Sequence, residues 1–381
     1  MKPKSAYLDC NATTPLEPQV RDAMFRYFDE EYGNAGSRTH EYGMRAKSAV
    51  QVAREQVAAV AESDRDEVFF TSGATESNNI AILGLAPEMQ RTGKKHIIST
   101  SIEHKAVLEP LEYLAKNGFD VTFLPVTSGG YVEPDSLRQA LRADTFLVSV
   151  MHVNNETGVI QPVGEIISVL NGHPAFLHVD AAQGYGKDLP ILRNKRIDLI
   201  SVSTHKFYGP KGVGALIARR RGFVKPPLAP LMFGGGQERG LRPGTLPVPL
   251  IVGMGVAAKL AVEEAASRAK KSKVVRQSAL ASLGRLDPFF NGDQDRVLPH
   301  VLNVSFRGLD SEAAMVALKD IVAVSNGSAC TSASYKPSHV LSAMGFDADR
   351  INGALRLSWC HLTPEVDWDA VADAIMPCLI K

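Results

Sequence analysis

Cysteine is scarce in this chain: its 381 residues include four, Cys10, Cys330, Cys360 and Cys378. None stands in CxxC spacing, which argues against a disulfide framework or a closed zinc site, so no metal is expected. No apolar run approaches the ~18 residues that a membrane span needs. Charge of one sign is also lacking. Net charge is +1, with 42 basic against 41 acidic side chains, and gives no reason to expect nucleic acid or membrane as a direct ligand. Met1-Lys2-Pro3-Lys4 runs straight into polar sequence without the apolar core of a secretory signal, and the expected location is cytoplasmic.

What is present is the composition of a soluble globular protein, 45% apolar and 22% charged, in a chain long enough for two domains. Apolar strands are predicted at 67–71, 96–100, 121–124, 146–151, 176–179, 198–202 and 213–218. Helical patterns at 76–85, 105–116, 134–141 and 163–171 lie between several of them. Such alternation predicts an α/β fold with a mainly parallel, doubly covered sheet. The expected large domain spans 16–255, and residues 1–15 with 256–381 form a smaller α+β domain. One long helix over 250–286 is expected to connect the two. Strands are predicted near 301–306 and 321–325, and helices near 311–320 and 364–379.

Chemistry collects where strands end, which is where α/β folds bind ligands. Lys206 follows the apolar run Asp198–Val202, preceded by Ser203, Thr204 and His205 and followed by a glycine-rich turn. Lysine is mostly exposed, so a surface position is the plain alternative. In Thr71-Ser72-Gly73-Ala74-Thr75-Glu76, a strand turns through glycine into a helix. That junction suits a phosphate; equally, Thr75 could cap the helix. Asp180 closes the strand His178-Val179-Asp180, where it could cap a helix or hold a cationic ring nitrogen. His104 ends a third strand and could be purely structural. A lysine, an anion and a phosphate cup are together what pyridoxal phosphate requires. A nicotinamide dinucleotide fits less well, because Gly212-Val213-Gly214 lacks the GxGxxG spacing.

Nine segments in order, YLDCNATTP, GNAGSRTH, TSGATESNN, SIEHKAV, VNNETG, HVDAAQ, STHKFYGPKGVGAL, GGGQERGLRPGTLP and SNGSACTSASYKPSHVL, resemble the cysteine desulfurases of the class V aminotransferases. The resemblance implies a fold-type I pyridoxal-phosphate transferase with a seven-stranded sheet. It implies that Lys206 carries the cofactor as a Schiff base, that Asp180 pairs with the pyridine nitrogen, that Gln183 bonds the ring oxygen and that His104 stacks on the ring. Ala74, Thr75, Ser203 and His205 would hold the phosphate, and Thr245 would reach the phosphate of a neighbouring copy in a homodimer. Arg356 would grip the carboxylate of L-cysteine, although an arginine in an apolar strand could also be a salt-bridge partner; Asn155 would add a second contact. Cys330, in a small-residue loop over about 325–336, would take the sulfur as a persulfide and leave L-alanine.

The extended ACTSASYKPSHV segment resembles the subgroup that delivers sulfur to partner proteins. Two departures bear on the acceptor: Trp359-Cys360 replaces glycine-containing sequence near Arg356, and the chain ends at Lys381 without the tail of the housekeeping relatives that feed the iron–sulfur scaffold. Both point to a dedicated acceptor pathway such as the DndA-type donation to DNA phosphorothioation, against iron–sulfur assembly or tRNA thiolation. Trp359-Cys360 is also expected to alter substrate fit. Competing readings are a selenocysteine lyase or another pyridoxal-phosphate lyase, and a non-catalytic docking partner with the same fold.

Overall fold

A computed structural model describes residues 5–326 and 337–379. Cys330 lies outside the described residues. The strands are β1 (Ala6–Tyr7), β2 (Val68–Thr71), β3 (His96–Thr100), β4 (Asp120–Leu124), β5 (Thr145–Met151), β6 (Phe176–Asp180), β7 (Leu199–Ser203), β8 (Gly214–Ala218), β9 (Phe289–Phe290), β10 (Val301–Ser305), β11 (Val322–Ala323) and β12 (Ala354–Ser358). Among the described residues, seven of them form one sheet in the order β2-β8-β7-β6-β5-β3-β4. β8 pairs antiparallel with both of its neighbours and the other pairs are parallel, so six strands deliver their C-terminal ends to one edge.

Both faces of the sheet are buried, and the strands have the sequences that this demands. Adjacent residues project to opposite sides: Ile98, Val148, Ile200 and Ile217 join one apolar cluster, while Ile97, Leu147, Leu199 and Leu216 join another. The helices Glu41–Val60 and Val248–Glu263 cover the first face, and Ala74–Leu83 and Lys105–Lys116 the second. β2 is an edge strand, and the GGGQERG segment shields it. Glu238 accepts from Phe70 N at 2.7 Å and forms a fully buried pair with Arg54, Nη2–Oε1 2.6 Å. A short helix at Ala86–Thr92, absent from the sequence reading, closes the turn before β3.

A second sheet, β12-β10-β9, backs onto its own apolar cluster of Leu302, Val304, Leu355, Leu357 and Trp359. The N-terminal arm belongs on this side: β1 pairs parallel with β11, and Asp9 bridges Ser358. The expected single connector helix is two helices, Val248–Glu263 and Ala265–Leu283, which meet at Glu264 with φ −112° and ψ 5°. Neither proline nor glycine marks that break. Arg268 fixes it instead, bonding both Glu264 and Glu17, so a tertiary anchor overrides helical propensity. The strand expected over 321–325 shrinks to β11 because only Val322 and Ala323 meet β1; beyond it, Ser325 makes an isolated bridge to Arg356. The last helix is also shorter, Trp368–Ile375, because the Asp367 side chain caps it. No helix among the described residues is long and apolar enough to cross a membrane.

Candidate active site

The strand ends of the large sheet open on a cavity of about 600 Å³. Asp180 terminates β6 and is nearly buried, 6% exposed. Its Oδ2 accepts from Asn78 Nδ2 at 2.7 Å and its Oδ1 from Ala182 N at 2.9 Å, so the carboxylate is held rigidly by neutral donors. After β7 the chain makes one 3₁₀ turn, Thr204–Lys206, which swings the lysine back across the sheet edge. Lys206 Nζ donates to the carbonyls of Asn11 and Ala12 at 2.6 and 2.8 Å. Asp180 and Lys206, expected from sequence as the ring-nitrogen partner and the cofactor lysine, thus face the same cavity.

The helix Ala74–Leu83 starts on Gly73, not on Thr75. Thr75 therefore lies in the first turn and is not the cap, because Glu76 satisfies Ser72 N at 2.6 Å and ends the strand there. Gly73 has no side chain to cap with, so the first N–H groups of this helix are left to the cavity that Ala74 and Thr75 line. Ser203, His205, Lys211 and Gly212 complete that end. The approach is close: a Cβ on Gly214 would fall 2.4 Å from Val202 O and 2.6 Å from Gly73 Cα. Burial and the neighbouring Lys206 pull the His205 imidazole down to about 4, so it is a neutral group at physiological pH.

His104 caps the helix Lys105–Lys116 by accepting from Ala106 N at its Nδ1, 3.1 Å, and lines the cavity. Burial depresses its basicity, which keeps the ring neutral. Gln183 gives Nε2 to Asn11 O at 2.9 Å and leaves its buried Oε1 without a partner. Arg356 projects from β12, Nη2 2.7 Å from Asp9 Oδ1 and Nη1 3.2 Å from Asn155 O. It is both of the things that the sequence left open, a salt-bridge partner and a cation in the cavity wall. Asn155 also lines the wall, with Oδ1 buried and unpartnered. Thr245 is exposed and does not line this chain's cavity.

One expectation fails. Trp359 lies in the core of the second sheet, its indole N–H bonded to Ser272 O at 3.0 Å and its ring edge-on to Trp368. Cys360 packs with Cys10 and Tyr208. Alternation continued past β12 puts Trp359 with Leu355 and Leu357, opposite Arg356, and Cys360 lies beyond the strand; neither lines the cavity, so Trp359-Cys360 does not shape the substrate's place. Three participants escaped the sequence reading. Asn11, inside a quoted motif but given no role, receives both Lys206 and Gln183; Asn78 holds Asp180; and Glu103, fully buried, accepts from Thr100 Oγ1 at 2.7 Å and Met151 N at 2.8 Å, with burial pushing its carboxyl up to about 8.

The donor set fits pyridoxal phosphate: a helix N-terminus with hydroxyls at one end, a buried carboxylate, a lysine amine, and orphaned polar atoms on Gln183 and Asn155 between them. Residues 6–371 match the family described as aminotransferase class-V. The chain belongs to that family. A mitochondrial cysteine desulfurase of Eremothecium gossypii is 48% identical over 371 residues, 97% of this chain and 75% of the relative. The solved structure of a NifS-like protein superimposes with TM-score 0.89 at 38% identity, covering 98% of each chain. That of DndA from Streptomyces lividans gives 0.82 at 55% identity, covering 93% of this chain and 99% of that one. This class-V chain is an enzyme of the cysteine desulfurase kind, and its cofactor is pyridoxal phosphate.

Beneath the class-V site, His178 lies wholly buried between Ser149 Oγ at 2.8 Å and Ser201 Oγ at 2.9 Å, one on each flanking strand. Burial lowers it from 6.5 to about 4. Between those values the unfolded chain binds the proton that the folded chain refuses, so stability rises with pH across this window. Measured against a His178→Asn variant, which cancels the other titrating groups, the parent's urea midpoint should keep a constant offset above pH 6.5 and lose ground as pH drops towards 4. The loss from this group is on the order of 3 kcal/mol. A constant offset between parent and variant through that range would show that His178 is hydrated.

Proposed function

We propose that the chain converts L-cysteine to L-alanine, takes the sulfur as a persulfide on Cys330 and passes it to an acceptor protein. The observation that carries this is the convergence of Lys206, Asp180 and Arg356 on one cavity. Pyridoxal phosphate, when bound, supplies an electron sink for the substrate's Cα. Asp180 keeps the ring nitrogen in its charged form by placing a fixed anion beside it. Ala74, Thr75, Ser203 and the neutral His205 hold the phosphate, and Gln183 and His104 orient the ring. Arg356, a planar cation with its guanidinium already oriented by Asp9 and Asn155, takes the substrate carboxylate.

Lys206, its Nζ held at the cavity by the Asn11 and Ala12 carbonyls, would move the Cα proton of the substrate. Cys330 Sγ forms a bond to the substrate sulfur, the carbon–sulfur bond breaks, and its electron pair stays on carbon, where protonation gives alanine. The anchors of the segment around Cys330 support its reach: Arg356 N donates to Ser325 O on one side, and His339 Nε2 meets Glu103 O, next to His104, on the other. Thr245, exposed here, reaches the phosphate of a neighbouring copy, and the working unit is a homodimer.

The acceptor belongs to DNA phosphorothioation. The 55% identity to DndA, against 48% to the mitochondrial desulfurase, favours it. The mitochondrial relatives favour the second reading, delivery to an iron–sulfur scaffold. Given L-cysteine and both acceptors in competition, the purified holoenzyme should release alanine and load the phosphorothioation acceptor first. No alanine would sink the whole reading; faster loading of the scaffold would sink only the choice of acceptor.

A further inference from the structure

A lysine and a histidine that the chemistry above does not use are stacked behind the active site. Lys187 follows β6, and His300 immediately precedes β10. Their side chains meet, Lys187 Nζ to His300 Nε2 at 3.2 Å, and the same ring nitrogen lies 3.1 Å from Asn11 Oδ1. Asn11 is buried, 2% exposed, and every polar group that it owns is engaged. Its N donates to Ser358 Oγ at 2.9 Å and its Nδ2 to Asn155 O at 3.0 Å. Its carbonyl is the common acceptor of Lys206 Nζ at 2.6 Å and Gln183 Nε2 at 2.9 Å.

We infer that His300 and Lys187 are positioning residues for the reaction, acting through Asn11 to fix the carbonyl on which the Lys206 amine and the Gln183 amide are aimed. This rests on the desulfurase reading above. Lysine and histidine go inside at a cost unless a partner satisfies them. Here the partners form one line from β6 and β10 to the arm. Because Asn11 Nδ2 is committed to Asn155, Oδ1 must accept, so His300 Nε2 carries the proton that it gives to Asn11. Lys187 faces the same ring nitrogen, where burial disfavours its charged form. Burial acts in this direction on both groups, lowering Lys187 from its usual value to about 8 and His300 well below its own. Cys10 and Lys206 are the other titratable groups that bear on Lys187 most strongly. The arm carries no regular element at Asn11, so without this brace the carbonyl is held by Ser358 and Asn155 alone. A displacement of the order of 1 Å in an aiming group costs about 100-fold in rate.

The test compares His300→Leu with His300→Gln, whose amide can place an N–H near the original Nε2. Two readouts are taken on the holoenzyme: kcat and KM for L-cysteine, and the pH midpoint of the cofactor's visible band. His300→Leu should lower kcat by about 10- to 100-fold, with KM within about threefold, and move the midpoint by about half a pH unit. His300→Gln should recover most of both. Asn11→Ala supplies the same readouts without disturbing the second sheet's packing, and the double variant should be no worse than the poorer single. If Leu and Gln behave alike, or if the Asn11 and His300 losses add in full, the brace does not exist. A wild-type chain that takes up the cofactor but releases no alanine would instead refute the functional reading.

Discussion

Replacing Lys206 by Ala removes the visible band of the covalently held cofactor and lowers alanine release by about 10⁴-fold. The size of the effect follows from two jobs falling on one amine. On the proposed reading Lys206 would both hold the cofactor and move the Cα proton of the substrate. No other amine is ready to substitute. Lys211 lines the cavity beside Gly212 with no part in the Lys206 contacts to Asn11 and Ala12, and Lys187 is turned towards His300. Asp180 would still hold its place through Asn78 and Ala182, so the variant should fold and still bind the cofactor non-covalently. Dialysis with absorbance reads this out: colour that washes away with Lys206→Ala and stays with the parent fits the assignment. Equal retention in both would refute it.

Cys330→Ser should separate the carbon chemistry from the sulfur chemistry. The expected result is an intact cofactor band and loss of alanine formation by about 10³-fold or more, because a serine oxygen cannot take the sulfur. Described residues anchor the chain on both sides of the segment that carries Cys330. From Ser325, hydrogen-bonded to the Arg356 strand, a chain extending to residue 330 covers at most about 17 Å. Ser338 Oγ anchors the other side on the buried Glu156 Oε2 at 2.5 Å. Alanine formed at the parent rate by Cys330→Ser would transfer the sulfur step to another group and revive a lyase mechanism that needs no thiol.

The sheet was legible because its strands are short apolar runs separated by turns, and period and burial give the same reading in β3, β5 and β7. Site residues at strand ends were legible for a related reason: Asp180 and Lys206 are polar groups where the pattern has just required apolar ones. Asn11 was not, since an asparagine in a short arm looks like any turn residue; its role exists only because β1 lies beside β11 and the arm crosses to Ser358. His300 and Lys187 are separated from Asn11 by most of the chain and meet it only after both sheets have formed. The break at Glu264 and the inward packing of Trp359 were hidden likewise, one set by Arg268 reaching Glu17 and the other by alternation along β12. Local pattern reported what the backbone repeats, and missed what distant side chains impose.

The central claim is that carbon chemistry at Lys206 delivers sulfur to Cys330, and one experiment addresses both residues at once. Holoenzyme is given one equivalent of L-cysteine without any acceptor, quenched, and its peptides weighed alongside the alanine released. One sulfur atom added to the Cys330 peptide for each alanine, absent in Lys206→Ala, is the expected outcome. Alanine without added sulfur on Cys330, or added sulfur that persists in Lys206→Ala, would contradict it.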